Sequence, residues 1–171
     1  MIRGILIDLG DTLIEQRVDD DKPLGSLELK AFPDAQPALA ELKAHNYLVA
    51  IVSNTSQSDA KEVAKALQAL GLLQYVDTIV TSVDVGQEKP HPPIFLTALQ
   101  HLGLSASEAV MVGDDVAKDI GGAQKLGMTT ILVNRAKAPL GAEKTPTFVV
   151  SSLQEILPLL GSYTEDHSES V

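Results

Sequence analysis

Four short segments of this chain carry residues able to do chemistry. Asp8 stands within Ile7-Asp8-Leu9-Gly10-Asp11-Thr12, Ser53-Asn54 follows the apolar run Tyr47–Val52, and Lys89-Pro90 lies between Gly86 and Phe95. Gly113-Asp114-Asp115 ends another apolar run, and Asp119 follows four residues after Asp115. An aspartate is already ionised at pH 7, so it can attack phosphorus without first losing a proton. That attack brings anion to anion, so positive charge has to be supplied on the spot. A divalent cation held by carboxylates and a carbonyl, together with one lysine, would supply it. Each segment alone is ordinary. An aspartate after a strand is more often a helix cap or turn residue, Ser-Asn reads as a turn, and a lone lysine as surface charge.

The elements that must position these residues alternate short β-branched runs with longer helical stretches, the pattern of a parallel α/β sheet. Strands are predicted at Ile2–Asp8, Tyr47–Ser53, Thr78–Ser82, Ala109–Val112, Thr130–Val133 and Phe148–Val150. Helices are predicted at Asp34–Asn46, Asp59–Leu70, Pro93–Leu102, Ala117–Leu126 and Leu153–Leu160. The chemical residues then fall at or after the carboxyl ends of strands, where open parallel sheets collect function. Glu15–Gly25, with its Asp19-Asp20-Asp21 run, reads as an exposed flap, and Tyr163–Val171 as a frayed acidic tail.

Composition narrows the field. The 171 residues fit one domain with a core of its own, expected over residues 1–162. Lys and Arg number 13 against 23 Asp and Glu, a net charge of −10, which argues against binding a nucleic-acid backbone. With no cysteine there is no thiol nucleophile and no sulfur-ligated zinc. No apolar stretch approaches a membrane span, and Asp8 follows the start too soon for a signal peptide, so a cytoplasmic protein is expected.

Taken in order, the four segments resemble the motifs of the haloacid dehalogenase superfamily of aspartate-nucleophile hydrolases, from about Ile2 to Leu160. The resemblance implies a Rossmann-like three-layer α/β/α sandwich and a Mg²⁺-dependent hydrolase acting on a phosphorylated substrate. By position, Asp8 would be nucleophile and metal ligand. The Gly10 carbonyl and Asp114 would be further ligands, with Asp119 holding metal-bound water or orienting Lys89. Ser53 and the Asn54 backbone N–H would grip the phosphoryl oxygens, Thr12 would order the first loop beside them, and Lys89 would neutralise charge.

Two departures from the family pattern matter. Phosphatases of this family usually carry Asp-x-Asp-x-Thr, whose second Asp protonates the leaving group and activates water. Gly10 occupies that position here, while Asp11 sits one residue later. The metal contact there is a carbonyl and survives. The general acid–base role does not, unless Asp11 supplies it, and losing such a role typically costs ~10²–10⁴ in rate. A weak or silent member that binds Mg²⁺ and a phosphorylated ligand or partner is therefore the alternative. The second departure is length: residues 13–33 and 55–88 leave no room for a folded cap. An open site suits a large or protruding substrate, or closure by an oligomer partner, and disfavours a small haloacid.

Other residues read more simply. Asp115 is expected as a helix cap, and Gly121-Gly122 as close helix packing. His45, His91, His101 and His167 show no metal-ligand spacing and are expected at the surface, His91 included although it follows Lys89-Pro90. Arg17 and Arg135 are secondary candidates for gripping a remote anionic group of a substrate.

Overall fold

The computed structural model describes residues 1–15, 22–140 and 145–166. Six strands form one sheet: β1 (Gly4–Ile7), β2 (Leu48–Ser53), β3 (Thr78–Thr81), β4 (Ala109–Gly113), β5 (Thr129–Val133) and β6 (Phe148–Val150). Their order is β3-β2-β1-β4-β5-β6 and every pairing is parallel. The period-two alternation of the strands splits their apolar side chains between two cores. Ile5, Ile7, Val49, Ile51, Val110 and Val112 face the helices α1 (Ala35–Ala44), α2 (Ala60–Ala69) and α6 (Ile156–Asp166). Leu6, Ala50, Val52 and Met111 face α4 (Pro92–Leu102) and α5 (Gly121–Gln124). Helices on both faces of a parallel sheet make the expected three-layer α/β/α sandwich.

The order reverses at β1, whose neighbours are β2 and β4. Ile7 is level with Ile51 on one side and Val112 on the other. Three chain segments therefore leave the sheet together, at the crevice where such sheets bind ligands. One further turn of helix, α3 (Ser82–Val85), follows β3 and leads toward Lys89.

Three expectations need correction. The helix expected at Ala117–Leu126 begins instead as a π turn, Val116–Ile120, and becomes regular only in α5. The Asp115 carbonyl accepts from the N–H groups of both Asp119 and Ile120, so the turn is wider than an α-helix allows. The tail expected from Tyr163 is helical as far as Asp166, because Tyr163 sets its ring edge-on against Phe148 at 5.4 Å; residues 167–171, His167 among them, lie outside those described. The Glu15–Gly25 segment is not uniformly exposed either. Leu24 is buried, and its N–H donates to Ser58 Oγ at 2.9 Å, docking a 3₁₀ turn, Leu24–Ser26, on α2. Arg17 and Asp19–Asp21 lie outside the described residues. Among the described residues, no helix is long and apolar enough to cross a membrane.

Arg135 is not placed to grip a ligand. Its guanidinium makes a two-pronged pair with Asp34 at 2.9 and 3.0 Å, stacks over Phe32, and donates to the Thr12 carbonyl at 2.9 Å. Asp34 also accepts from Ser152 Oγ and the Leu153 N–H. One carboxylate thus ties the start of α1, the end of β5 and the approach to α6 to the loop after β1. Burial alone would raise the Asp34 carboxyl, but Arg135, Leu153 and Ser152 outweigh it and hold it below its ordinary 3.8. A depressed pKa contributes stability above the unfolded value and loses it as pH falls through the folded one. Asp34→Ala should therefore lower unfolding free energy near pH 7 by about 2 kcal/mol. In denaturant titrations the gap to wild type should narrow as pH is taken below about 4; a gap independent of pH would rule this account out.

Candidate active site

Asp8 directly follows β1, Ser53 ends β2, and Asp114 directly follows β4. With Asn54, Lys89 and Asp119 they line one cleft of about 160 Å³ that opens to solvent. Gly10 and Asp11 complete the lining from the first loop, and Asp115 and Lys118 from the π turn. The sequence-predicted residues thus converge, with Thr12 as the exception. Thr12 is fully buried behind the cleft, its hydroxyl 3.3 Å from Asp8 Oδ2 and 3.2 Å from Asp114 Oδ1. One hydroxyl proton serves one acceptor at a time, so Thr12 stands between the two carboxylates and ties the first loop to them.

The centre of the site is the buried Lys89 ammonium. It donates to Asp8 Oδ1 at 2.6 Å, Asp119 Oδ1 at 2.7 Å and the Val52 carbonyl at 2.7 Å. Three protons meet three acceptors, so the lysine is a fixed point charge. Burial would drive its proton off, but Asp119 and Asp8 outweigh burial and keep it protonated far above neutral pH. The peptide at Lys89 is held as firmly: its N–H donates to Asn54 Oδ1 at 2.7 Å, and Asn54 Nδ2 donates to its carbonyl at 3.0 Å.

The wide π turn is what brings Asp119 inward. Asp115 caps that turn, accepting from the N–H groups of Ala117 and Lys118 at 2.8 Å each, as its expected role requires. Asp119 Oδ2 accepts from the Asp115 N–H at 3.1 Å, leaving Oδ1 for Lys89. Gly113 is required here, because a Cβ on it would run into the Asp119 carboxylate. A Cβ on Gly122 would fall 2.8 Å from the Phe95 ring and 3.0 Å from Pro90 Cα, so the expected close packing needs glycine there and seats the Lys89 loop.

Charge in the cleft is unbalanced. Carboxylate oxygens of Asp8, Asp114 and Asp119 lie within 4.8 Å of one another. Burial raises all three carboxyls, Asp119 to about 6, and the negative neighbours of each add to the effect while Lys89 opposes it at Asp8 and Asp119. With all three ionised, one lysine leaves two negative charges uncompensated. An all-oxygen donor set with that deficit fits a hard divalent cation such as Mg²⁺.

Several contacts were outside sequence reasoning. The Asn54 side chain clamps Lys89, 35 residues away, a contact no local pattern records. Ser82 Oγ accepts from the Thr55 N–H and donates to the Thr55 carbonyl, pinning the loop after β2. Lys118 at the mouth gave no signal beyond standing next to Asp119. His91 is exposed and bonds the Glu88 carbonyl, outside the cleft.

Comparison with known proteins agrees with this geometry. A glyceraldehyde 3-phosphate phosphatase from Methanopyrus kandleri is 34% identical over 142 residues, covering 81% of this chain and 60% of its own length. An (S)-2-haloacid dehalogenase 4A from Burkholderia cepacia is 37% identical over 134 residues, 78% of this chain and 56% of its own. This chain therefore spans at most about three fifths of either relative. Among solved structures, an uncharacterized protein from Listeria monocytogenes serotype 4b aligns with a TM-score of 0.81 at 31% identity, over 94% of this chain and 99% of that one. The family model described as haloacid dehalogenase-like hydrolase matches residues 10–133. That match opens inside the first loop and closes at the end of β5, taking in every other segment that lines the cleft, and this chain belongs to the haloacid dehalogenase-like hydrolase family.

Proposed function

We propose that this chain hydrolyses phosphomonoesters in a Mg²⁺-dependent reaction, through a phosphoryl group carried on Asp8. The observation that supports this most is the buried Lys89 ammonium shared by Asp8 and Asp119, beside a third carboxylate with charge left for a cation. Asp8, Asp114 and the Gly10 carbonyl would hold Mg²⁺, with Asp119 reaching it through water. When bound, the ion withdraws charge from the phosphoryl oxygens and lowers their repulsion of the nucleophile. The chain's own residues do the rest. Asp8 attacks phosphorus, the ester P–O bond breaks, and the alcohol departs after taking a proton. Water then attacks the aspartyl phosphate, releasing inorganic phosphate and the free Asp8 carboxylate. Lys89 fixes one Asp8 oxygen and offsets charge in both steps. Ser53 and the Asn54 N–H face the phosphoryl oxygens.

The proton to the alcohol, and its removal from water, need a base at the cleft. Gly10 offers none. Asp11 lines the same cleft with φ of 57°, a left-handed conformation that Asp tolerates better than most residues. Its charge is felt at Asp114. We assign Asp11 the acid–base role. The second reading, a silent member that binds Mg²⁺ and a phosphorylated ligand, rests on Gly10 and holds if Asp11 does not serve. Cleavage of a carbon–halogen bond fits less well: without a cation, the surplus carboxylates would repel both an anionic haloacid and the departing halide.

The short connections at residues 13–33 and 55–88 suit one hydrolase unit over residues 1–162 with an uncovered cleft. The test is hydrolysis of an aryl phosphate, whose good leaving group needs little protonation, with Mg²⁺ and with chelator. Activity should need Mg²⁺ and fall at least ~10³-fold in Asp8→Asn. Asp11→Asn should lose about 10²-fold, more on an alkyl phosphate than on the aryl one. No turnover by wild type, with Mg²⁺ and a phosphate analogue still raising its melting temperature, would favour the silent reading.

A further inference from the structure

The cleft opens to solvent, so a ligand whose phosphate sits among Asp8, Ser53 and Lys89 extends its organic part toward the mouth. Lys118 stands there: it lines the cleft, is exposed, and its ammonium makes no hydrogen bond or ion pair with any described residue. The other lysine of the lining, Lys89, has all three protons committed inside. The main chain under Lys118 is fixed by the bond from its own N–H to Asp115 Oδ1, and Asp119, which follows it, is held by Lys89 and the Asp115 N–H. A flexible cation therefore projects from a rigid base beside the reacting group. The Asp115 carboxylate at the same rim is occupied by two backbone N–H groups, and the Asp11 charge is felt inward at Asp114.

We infer that Lys118 selects phosphorylated ligands bearing a second anionic group a few bonds from the phosphate, and that phosphomonoesters with no second charged group are the poorer ligands. This rests on the proposed function for its catalytic arm but not for its binding arm. A compact ammonium recognises carboxylate and phosphate alike as point charges, so the class is defined by charge and distance.

The test uses matched compounds in the presence of Mg²⁺. Ethyl phosphate, 2-phosphoglycolate and ethane-1,2-diyl bisphosphate are compared as substrates, and ethylphosphonate with phosphonoacetate as calorimetric ligands. Wild type should favour the anion-bearing partner about five- to tenfold in kcat/KM and in Kd, chiefly through KM, and less at high salt. Lys118→Gln should bring the preference to within twofold, and Lys118→Arg should keep most of it. Comparing the carboxylate with the bisphosphate shows which anion is read better. Turnover without such a preference, or a preference unchanged in Lys118→Gln, overturns the inference and leaves the hydrolase reading intact. Selective binding of phosphonoacetate through Lys118 without turnover of any ester keeps the inference and removes the hydrolase reading. Failure of wild type to bind phosphonoacetate more tightly than ethylphosphonate overturns it outright.

Discussion

The rest of the site depends on a buried ammonium with three acceptors. Removing a charge from water costs several kcal/mol, and attraction offsets that only if every donor finds a partner. Lys89 finds one in each of three neighbouring segments: Asp8 after β1, Val52 within β2, and Asp119 beyond β4. Those strands are adjacent only because the sheet order reverses at β1. The lysine is thus the point where topology becomes chemistry. An ion pair so placed is weak evidence for stability, since an apolar cluster could do as well. Its value is positional, because it fixes the Asp8 carboxylate and opposes the rise that burial causes there.

Much of what surrounds Lys89 follows from having to deliver it. The lysine arrives on a loop, the least determined kind of backbone, and Asn54 compensates by bonding both sides of its peptide. Gly122 lets the following turn close over Pro90. Asp119 must reach inward from a helix start, where an α-helical turn would be narrower; the π turn and the bare Gly113 make the space. On the opposite side, Arg135 holds the Thr12 carbonyl while the Thr12 hydroxyl spaces Asp8 and Asp114. The Asp34–Arg135 pair therefore links the docking of α1 and α6 to the carboxylates.

What could be read in the sequence was whatever a local pattern records. Strand periodicity put Asp8, Ser53, Lys89, Asp114 and Asp119 at or after strand ends, and the order of the four motifs, through the family resemblance, implied one site. Contacts made by side chains across long separations left no such trace. Arg135 looked like a rim cation because nothing local declares that Asp34, 101 residues away, consumes its charge. The spacing of Thr12 from Asp8 is visible in the sequence, whereas its bond to Asp114, 102 residues away, is not. The π turn was hidden by helical composition, and Tyr163 looked like tail because its partner, Phe148, lies on another element.

The same electrostatics joins the two departures from the family pattern. Position 10 carries no carboxylate, and the nearest one, Asp11, adds its negative charge to the same cleft, where it is felt at Asp114. Moving the carboxylate to Asp11 keeps it in the cleft lining, on a backbone turn whose positive φ costs of order 1 kcal/mol or more in a non-glycine residue. Strain of that kind persists only where surrounding bonds fix it, and the Leu9 carbonyl does so here, accepting from Leu13 and Ile14. Among the described residues the cleft opens to solvent, and water there screens charge, so on the proposed function discrimination among ligands would come from a group close to the phosphate and rigidly based. The inner lysine cannot supply it, since its protons are all engaged with the protein. On the proposed function, selectivity and catalysis would fall to two different cations: one buried, which draws the segments of the site together, and one exposed at the mouth.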